Sequence, residues 1–220
     1  VRRLEESGAI VIGRTNCDEF GMGSTGENSF YGPAFNALNP QLVAGGSSSG
    51  AATSVAANFC HLALGTDTGG SVRQPAAFQG IFGYKPTYGR LSRWGVIAYA
   101  SSMDQIGLCA HSPKLLTTVM QLLSSPDEQD LHTLRWPAFN SKMPKRNDSK
   151  LAMDVRLFSP PYVSDKHAGL WKKVLATQLF KHAKPIELPG MEEALALFHI
   201  LAPAEAASNL NRYDGVRYGR

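Results

Sequence analysis

Two glycine-rich serine loops constrain this chain more than any other feature: Gly45-Gly46-Ser47-Ser48-Ser49-Gly50 and Thr66-Asp67-Thr68-Gly69-Gly70-Ser71. Each lies at a junction between patterned segments. The first opens Ala51-Ala52-Thr53-Ser54-Val55-Ala56-Ala57, a run of small residues that predicts a tightly packed helix. The start of that helix directs spare N–H groups into the loop. The second loop follows His61-Leu62-Ala63-Leu64-Gly65, which reads as a strand. Strand, glycine loop and helix in succession predict an α/β fold with a mixed central β-sheet flanked by helices on both faces.

Segments on either side of the loops carry weaker patterns. Val1 to Gly8 has the pattern of the last turns of a helix with a glycine cap, so the chain is expected to begin inside a fold. Ala9-Ile10-Val11-Ile12-Gly13 predicts a buried strand. The following thirty or so residues, rich in Gly, Asn, Ser and Pro, predict a long ordered loop of the kind that carries function. From Ser124 to Lys150 the composition shifts to Asp, Ser, Asn, Lys and Pro, which predicts an exposed connection. Leu151 to Phe158 reads as a strand. Asp165 to His182 reads as an amphipathic helix carrying Leu170, Trp171, Val174, Leu175 and Leu179, and Met191 to Leu210 as a second helix. The expected organisation is a core over 1–123 holding both loops, a connection over 124–150, and a continuation over 151–220, with the fold incomplete at both ends.

Composition excludes some classes of function. With 220 residues and 43% hydrophobic content the chain can bury one sizeable core. Its longest apolar run, Ala194 to Leu201, is broken by His199 and too short to cross a bilayer, so no membrane role is expected. The net charge of +4, from 22 basic and 18 acidic residues, is spread along the chain rather than gathered into a nucleic-acid-binding stripe. Cys17, Cys60 and Cys109 are odd in number and widely spaced, as expected of reduced core thiols rather than disulfides or metal ligands. No P-loop and no metal-ligand cluster is present in the sequence.

Three readings compete for the chemistry. Gly46-Ser47-Ser48-Ser49-Gly50 matches the nucleophile elbow, with Ser48 as nucleophile, but only a scrap of strand precedes it. Asp67-Thr68-Gly69 matches the tripeptide of aspartic proteases, yet that chemistry needs a second carboxylate and no second copy occurs. The third reading uses both loops. Gly69 and Gly70 lack Cβ atoms, so their backbone can approach a substrate closely. The N–H groups of Thr68, Gly69, Gly70 and Ser71 can then converge on one oxygen, as amide hydrolysis requires when charge develops on the carbonyl. A serine hydroxyl needs a base. His61 lies in an apolar strand and reads as a packed residue, whereas the Ser47 hydroxyl can relay a proton from Ser71 to a lysine of lowered pKa.

The run GGSSSG at 45–50, followed by GTDTGGSVRQPAAFQGIFGYKPTYGR from Gly65 to Arg90, resembles the amidase signature family. The resemblance extends to its glutamyl-tRNA amidotransferase A subunits through Thr15 to Ser24 with Glu27-Asn28-Ser29, through Leu91 to Gly107, and through Ala207 to Gly219. It implies a Ser-cisSer-Lys triad with Ser71 as nucleophile and Ser47 as bridging serine. The family spaces these two serines by 24 positions, as here (71 minus 47). It also implies an oxyanion hole at Thr68, Gly69, Gly70 and Ser71, and a substrate pocket near Met22 and Arg73, the latter an ordering residue for loop carbonyls. The triad lysine is implied upstream of Val1, so this stretch alone is expected to be inactive. Lys85 belongs to a downstream motif and reads as structural, as does Asp104.

The same resemblance implies an activity and its partners. Glutamine is hydrolysed to ammonia, which passes to a B subunit that amidates glutamate or aspartate mischarged on tRNA. ATP and magnesium belong to that B subunit, no cofactor belongs to this chain, a small third subunit clamps the pair, and tRNA is met mainly through B. Tyr213, Asp214 and Arg217 are implied to frame the pocket or meet B. A cytoplasmic location in a bacterium, or a mitochondrial or plastid matrix in a eukaryote, would follow. A stand-alone amidase acting on a small amide, or a catalytically dead binding module, are the alternatives.

Overall fold

In the computed structural model, residues 1–137, 139, 151–178, 180 and 182–218 are described. The chain divides into two compact units, Val1–Ser141 with Phe198–Arg220, and Lys142–Leu197.

The first unit is built on a three-stranded sheet whose composition dictates its two faces. Strands β1 (Leu62–Asp67), β2 (Phe82–Tyr84) and β3 (Gln105–Ala110) lie in the order β1-β3-β2, and both pairings are antiparallel. Successive side chains of a strand point to opposite faces. Leu62, Leu64, Ile106, Leu108 and Ala110 therefore share one face, where they pack with Leu4 of α1 (Arg2–Glu6) and with Leu116, Val119 and Met120 of α4 (Pro113–Leu123). Ala63 and Cys109 share the other with Ala51, Ala52 and Val55 of α2 (Ser49–Ala56), and with Val72 and Ala76, the latter in α3 (Arg73–Phe78). Helices thus cover both faces, and the α/β class expected from the sequence is the one observed.

The second face needs room as well as apolarity. Gly65 and Gly107 are directly paired across β1 and β3. A Cβ on Gly65 would lie 2.5 Å from Ser48 Oγ, and one on Gly107 would lie 2.8 Å from Val72 Cγ2. This glycine pair lets both serine loops settle onto the sheet.

Helix boundaries follow local chemistry. In α1 the chain turns out at Gly8, with φ of +90°, and the Gly8 and Ala9 N–H groups close on the Glu5 and Leu4 carbonyls. Ser112 caps α4 by accepting from the Leu115 N–H, and Pro113 occupies its first turn. The Arg3 guanidinium donates to the Leu123, Ser125 and Pro126 carbonyls, placing a cation at the carbonyl end of α4.

Several expectations are corrected. Ala9 to Gly13 forms no strand, and Ile10, Val11 and Ile12 are 86%, 55% and 68% exposed. A strand needs a neighbour for its N–H and C=O groups, and none of the described strands pairs with this segment. In the expected exposed connection most of residues 124–137 are exposed, with Ser124, Asp130 and Thr133 buried among them. Asp130 precedes the 3-10 turn Leu131–Arg135, which contains Thr133, and its carboxylate accepts from the Arg93 backbone and guanidinium. Of that segment, residues 138 and 140–150 lie outside the described residues.

In the second unit the expected strand at Leu151–Phe158 is reduced to β4 (Ala152–Met153), paired in parallel with β5 (Lys184–Pro185), and continues as a 3-10 turn, Val155–Phe158. The buried Asp154 carboxylate caps that turn and also accepts from Leu188 N–H. Helix α5 (Asp165–Leu175) ends earlier than the pattern predicts, and Leu179 lies outside the described residues. Helix α6 (Met191–Leu210) has its expected bounds. No helix among the described residues is long and apolar enough to cross a membrane.

Candidate active site

The geometry of the second serine loop starts from Asp67, the last residue of β1. Its carboxylate is fully buried, and the chain wraps around it. Oδ1 accepts from the Gly70 N–H at 2.8 Å, while Oδ2 accepts from the Val72 and Arg73 N–H groups at 3.1 and 3.2 Å. The Arg73 guanidinium completes the set with bonds of 3.0 and 2.8 Å. Burial pushes the Asp67 carboxyl up, but the Arg73 side chain and the two backbone donors outweigh it and hold the group below the ordinary carboxylate range. Gly70 sits at φ of +131°, a conformation side-chain-bearing residues rarely adopt.

Ser71 follows at the end of this turn, half-buried, and its carbonyl accepts from the Ser48 N–H at 2.9 Å. That bond joins the two loops. Thr68 is fixed on the other side: its hydroxyl donates to Asp104 Oδ1 at 2.6 Å, and Asp104 Oδ2 accepts from the Tyr99 and Ala100 N–H groups.

In the first loop Ser47 is 2% exposed and the Gly46–Ser47 peptide is cis. The Ser47 carbonyl accepts from the Asp18 N–H at 3.1 Å. The Asp18 carboxylate, fully buried behind Gly46, accepts from Gly26 and Asn28 N–H groups and so ties the 18–28 loop to the same place. Neither the Ser47 nor the Ser71 hydroxyl makes a hydrogen bond among the described residues, to each other or to any other group. Among these residues only Ser124 Oγ is sealed from solvent without a partner, so the Ser47 hydroxyl remains reachable.

Ser48 is different. Its hydroxyl donates to the Thr66 carbonyl at 3.0 Å and accepts from the Thr66 N–H at 3.2 Å. With both functions spent on β1 and only 5% exposure, Ser48 is a structural latch, which disposes of the elbow reading.

Two expectations about the turn are revised. The Gly70 N–H is committed to Asp67 and is not free for an oxyanion, which leaves the Thr68, Gly69 and Ser71 N–H groups without acceptors among the described residues. Arg73 binds the Asp67 carboxylate rather than loop carbonyls. Met22 is 37% exposed and follows Gly21, whose Cβ position lies 3.8 Å from Ser47 Oγ, so its segment runs beside Ser47. Lys85 donates to the Pro86 carbonyl.

Other residues fall elsewhere. His61 is exposed rather than packed. Of the three cysteines only Cys109 is a core thiol, pushed up to about 12 by burial, with Cys60 and Asp67 adding to it. Cys17 is exposed, because the loop that carries it turns Asp18 inward instead.

Sequence reasoning missed Asp67 as the organiser of the turn that carries Ser71, having met it only as a rejected protease motif. The available signal was an aspartate ending a strand directly before Thr-Gly-Gly, a place where a carboxylate can gather the N–H groups of the residues that follow. It also left α6 without a role at the site. A Cβ on Gly69 would lie 2.8 Å from the Phe198 ring, and Asn209 donates to the Tyr99 carbonyl, so the Phe198–Leu210 part of this helix lies along the turn.

Compared with known proteins, residues 1–220 match the Amidase family throughout. The chain belongs to the Amidase family. It is 47% identical to the A subunit of glutamyl-tRNA(Gln) amidotransferase from Thermus thermophilus, covering 100% of this chain and 47% of that protein. It is 44% identical to the mitochondrial A subunit of glutamyl-tRNA(Gln) amidotransferase from Eremothecium gossypii, covering 100% and 49%. The crystal structure of the corresponding A subunit from Thermotoga maritima superposes with a TM-score of 0.86 at 36% identity, over 98% of this chain and 49% of that one. The chain therefore spans about half the length of the curated relatives it matches.

Proposed function

We propose that this chain is the part of a glutamine amidohydrolase that carries its nucleophile, and that it serves a tRNA-dependent amidotransferase as the ammonia-generating subunit. The observation that carries the reading is the Asp67-centred turn. It presents a half-buried serine hydroxyl and three unpaired N–H groups on a loop bonded to that of Ser47. The likeness to amidotransferase A subunits supports the choice of glutamine over other amides.

In the proposed reaction Ser71 Oγ attacks the side-chain amide carbon. Its proton passes to Ser47 Oγ as the Ser47 proton passes to the amine of a lysine that this reading puts outside this stretch. Negative charge on the former carbonyl oxygen is met by the Thr68, Gly69 and Ser71 N–H groups. The C–N bond then breaks, the relayed proton leaves with ammonia, and water hydrolyses the glutamyl ester on Ser71 by the reverse relay. Asp67 and Asp104 hold the turn and touch no reacting atom. Ammonia passes to a B subunit, which holds ATP and magnesium and amidates glutamate on tRNA, forming Gln-tRNA(Gln), with a small third subunit in the complex.

Ammonia release from glutamine by the full-length protein with its B subunit tests the reading. Turnover abolished in Ser71→Ala is expected. Failure to release ammonia, together with rapid cleavage of aryl or fatty amides, would favour a stand-alone amidase.

A further inference from the structure

Gln74 lies on α3, three residues after Ser71, and its side-chain amide reaches both neighbouring loops. Oε1 accepts from the Gly46 N–H at 2.9 Å, and Nε2 donates to the Ser24 carbonyl at 2.9 Å. Its own N–H donates to the Gly70 carbonyl at 2.7 Å, so the residue that grips the first loop is itself seated on the nucleophile turn. The Gly46 N–H is the backbone donor immediately before Ser47. On the other side of Ser47, its carbonyl accepts from the Asp18 N–H. Space at this joint is tight: a Cβ on Gly45 would lie 2.9 Å from Gln74 Oε1 and 2.8 Å from Pro75 Cα.

We infer that Gln74 is a positioning residue that sets the Ser47 hydroxyl relative to Ser71, and that it acts chiefly through its bond to the Gly46 N–H. The inference rests on the relay proposed above. It goes beyond that relay by naming the contact that fixes its geometry. A neutral amide suits the task because it offers an acceptor to one loop and a donor to the other. A carboxylate keeps the acceptor and loses the donor, and a thioether loses both. Misplacement of a reacting group by about 1 Å costs roughly 100-fold in rate.

The test uses the full-length protein with its B subunit, comparing wild type, Gln74→Met and Gln74→Glu. Four quantities are read: kcat, KM for glutamine, the rate at which a fluorophosphonate probe labels Ser71, and the melting temperature. For Gln74→Met, kcat and the labelling rate are expected to fall by about 10- to 100-fold, with KM within about two-fold of wild type. For Gln74→Glu, which keeps the Gly46 acceptor, labelling is expected to recover most of that loss. Wild-type labelling in a folded Gln74→Met protein would overturn the inference. So would Gln74→Glu labelling as slowly as Gln74→Met, or a loss of rate that only tracks the folded fraction. If Gln74→Met does not fold, Gln74→Glu alone decides: labelling close to wild type supports the role, and a 100-fold fall overturns it. Slowed labelling of Ser71 with no ammonia from glutamine in any variant upholds Gln74 and defeats the substrate assignment instead.

Discussion

Replacing Asp67 by alanine tests how the turn that carries Ser71 is built. The substitution removes an acceptor of five hydrogen bonds from a fully buried position. The Arg73 side chain is 48% exposed, so its guanidinium can turn to water and its share of the pair is small. The buried Val72 N–H has no such escape, and the Gly70 and Arg73 N–H groups are fixed by the turn in partly buried bonds to the same carboxylate. At about 1 kcal/mol each, the three set a loss of about 3 kcal/mol, near the lower end of the roughly 3–5 kcal/mol for stripping one partner from a buried pair. That is a large part of the roughly 5–15 kcal/mol that holds a typical domain together. Urea denaturation of the full-length protein followed by tryptophan fluorescence reads the loss. Arg73→Met, which leaves the three backbone donors satisfied, is expected to cost only about 1 kcal/mol. Ammonia release in Asp67→Ala, measured below its unfolding transition, is expected to fall by roughly 100-fold as Ser71 shifts. Stability within about 0.5 kcal/mol of wild type together with an undiminished rate would refute the claim that this carboxylate shapes the turn.

Other outcomes follow from the same geometry. Under the proposed relay Ser71→Ala abolishes turnover and Ser47→Ala lowers it by a few orders of magnitude, and the double variant is no worse than Ser71→Ala; steady-state kinetics read all three. Ser48→Ala costs about 1–3 kcal/mol in urea denaturation by stranding the half-buried Thr66 carbonyl and N–H, yet keeps Ser71 reactive. Gly70→Val places a β-branched residue at φ of +131°, costs about 1–3 kcal/mol of strain and displaces the adjacent Gly69 and Ser71 donors, so its rate should collapse even where it remains folded. The folded Asp67 carboxyl lies below its unfolded value, so its contribution is complete above the ordinary carboxylate pKa and is lost as pH falls through the folded one. Urea midpoints of wild type should therefore decline in acid more steeply than those of Asp67→Asn.

Much of this arrangement is legible in the residues, for identifiable reasons. The glycine-capped end of α1, the small-residue helix α2, strand β1 and the long helix α6 each depend on local pattern, and the structure reproduces them. Segments decided by a distant partner were not legible. Ile10-Val11-Ile12 is apolar enough for a buried strand, but its fate depends on whether a neighbouring strand exists to pair with it. Within the polar, mostly exposed 124–137 segment Asp130 is buried because Arg93, thirty-seven positions before it, supplies its counter-charge. At the site, the serine and glycine types suggest the chemistry, whereas the scaffolding runs through Asp67, whose bonds close its own turn, and through Asp104 and Gln74, whose bonds cross between loops and leave no periodic trace in sequence.

The central claim is that Ser71 is the nucleophile of this fold. Fluorophosphonate labelling of the full-length protein, followed by peptide mapping of the adduct, tests it most directly. A single adduct on Ser71, absent in Ser71→Ala and retained in Ser48→Ala, is the predicted result. An adduct on Ser48, or labelling that survives Ser71→Ala undiminished, would contradict it.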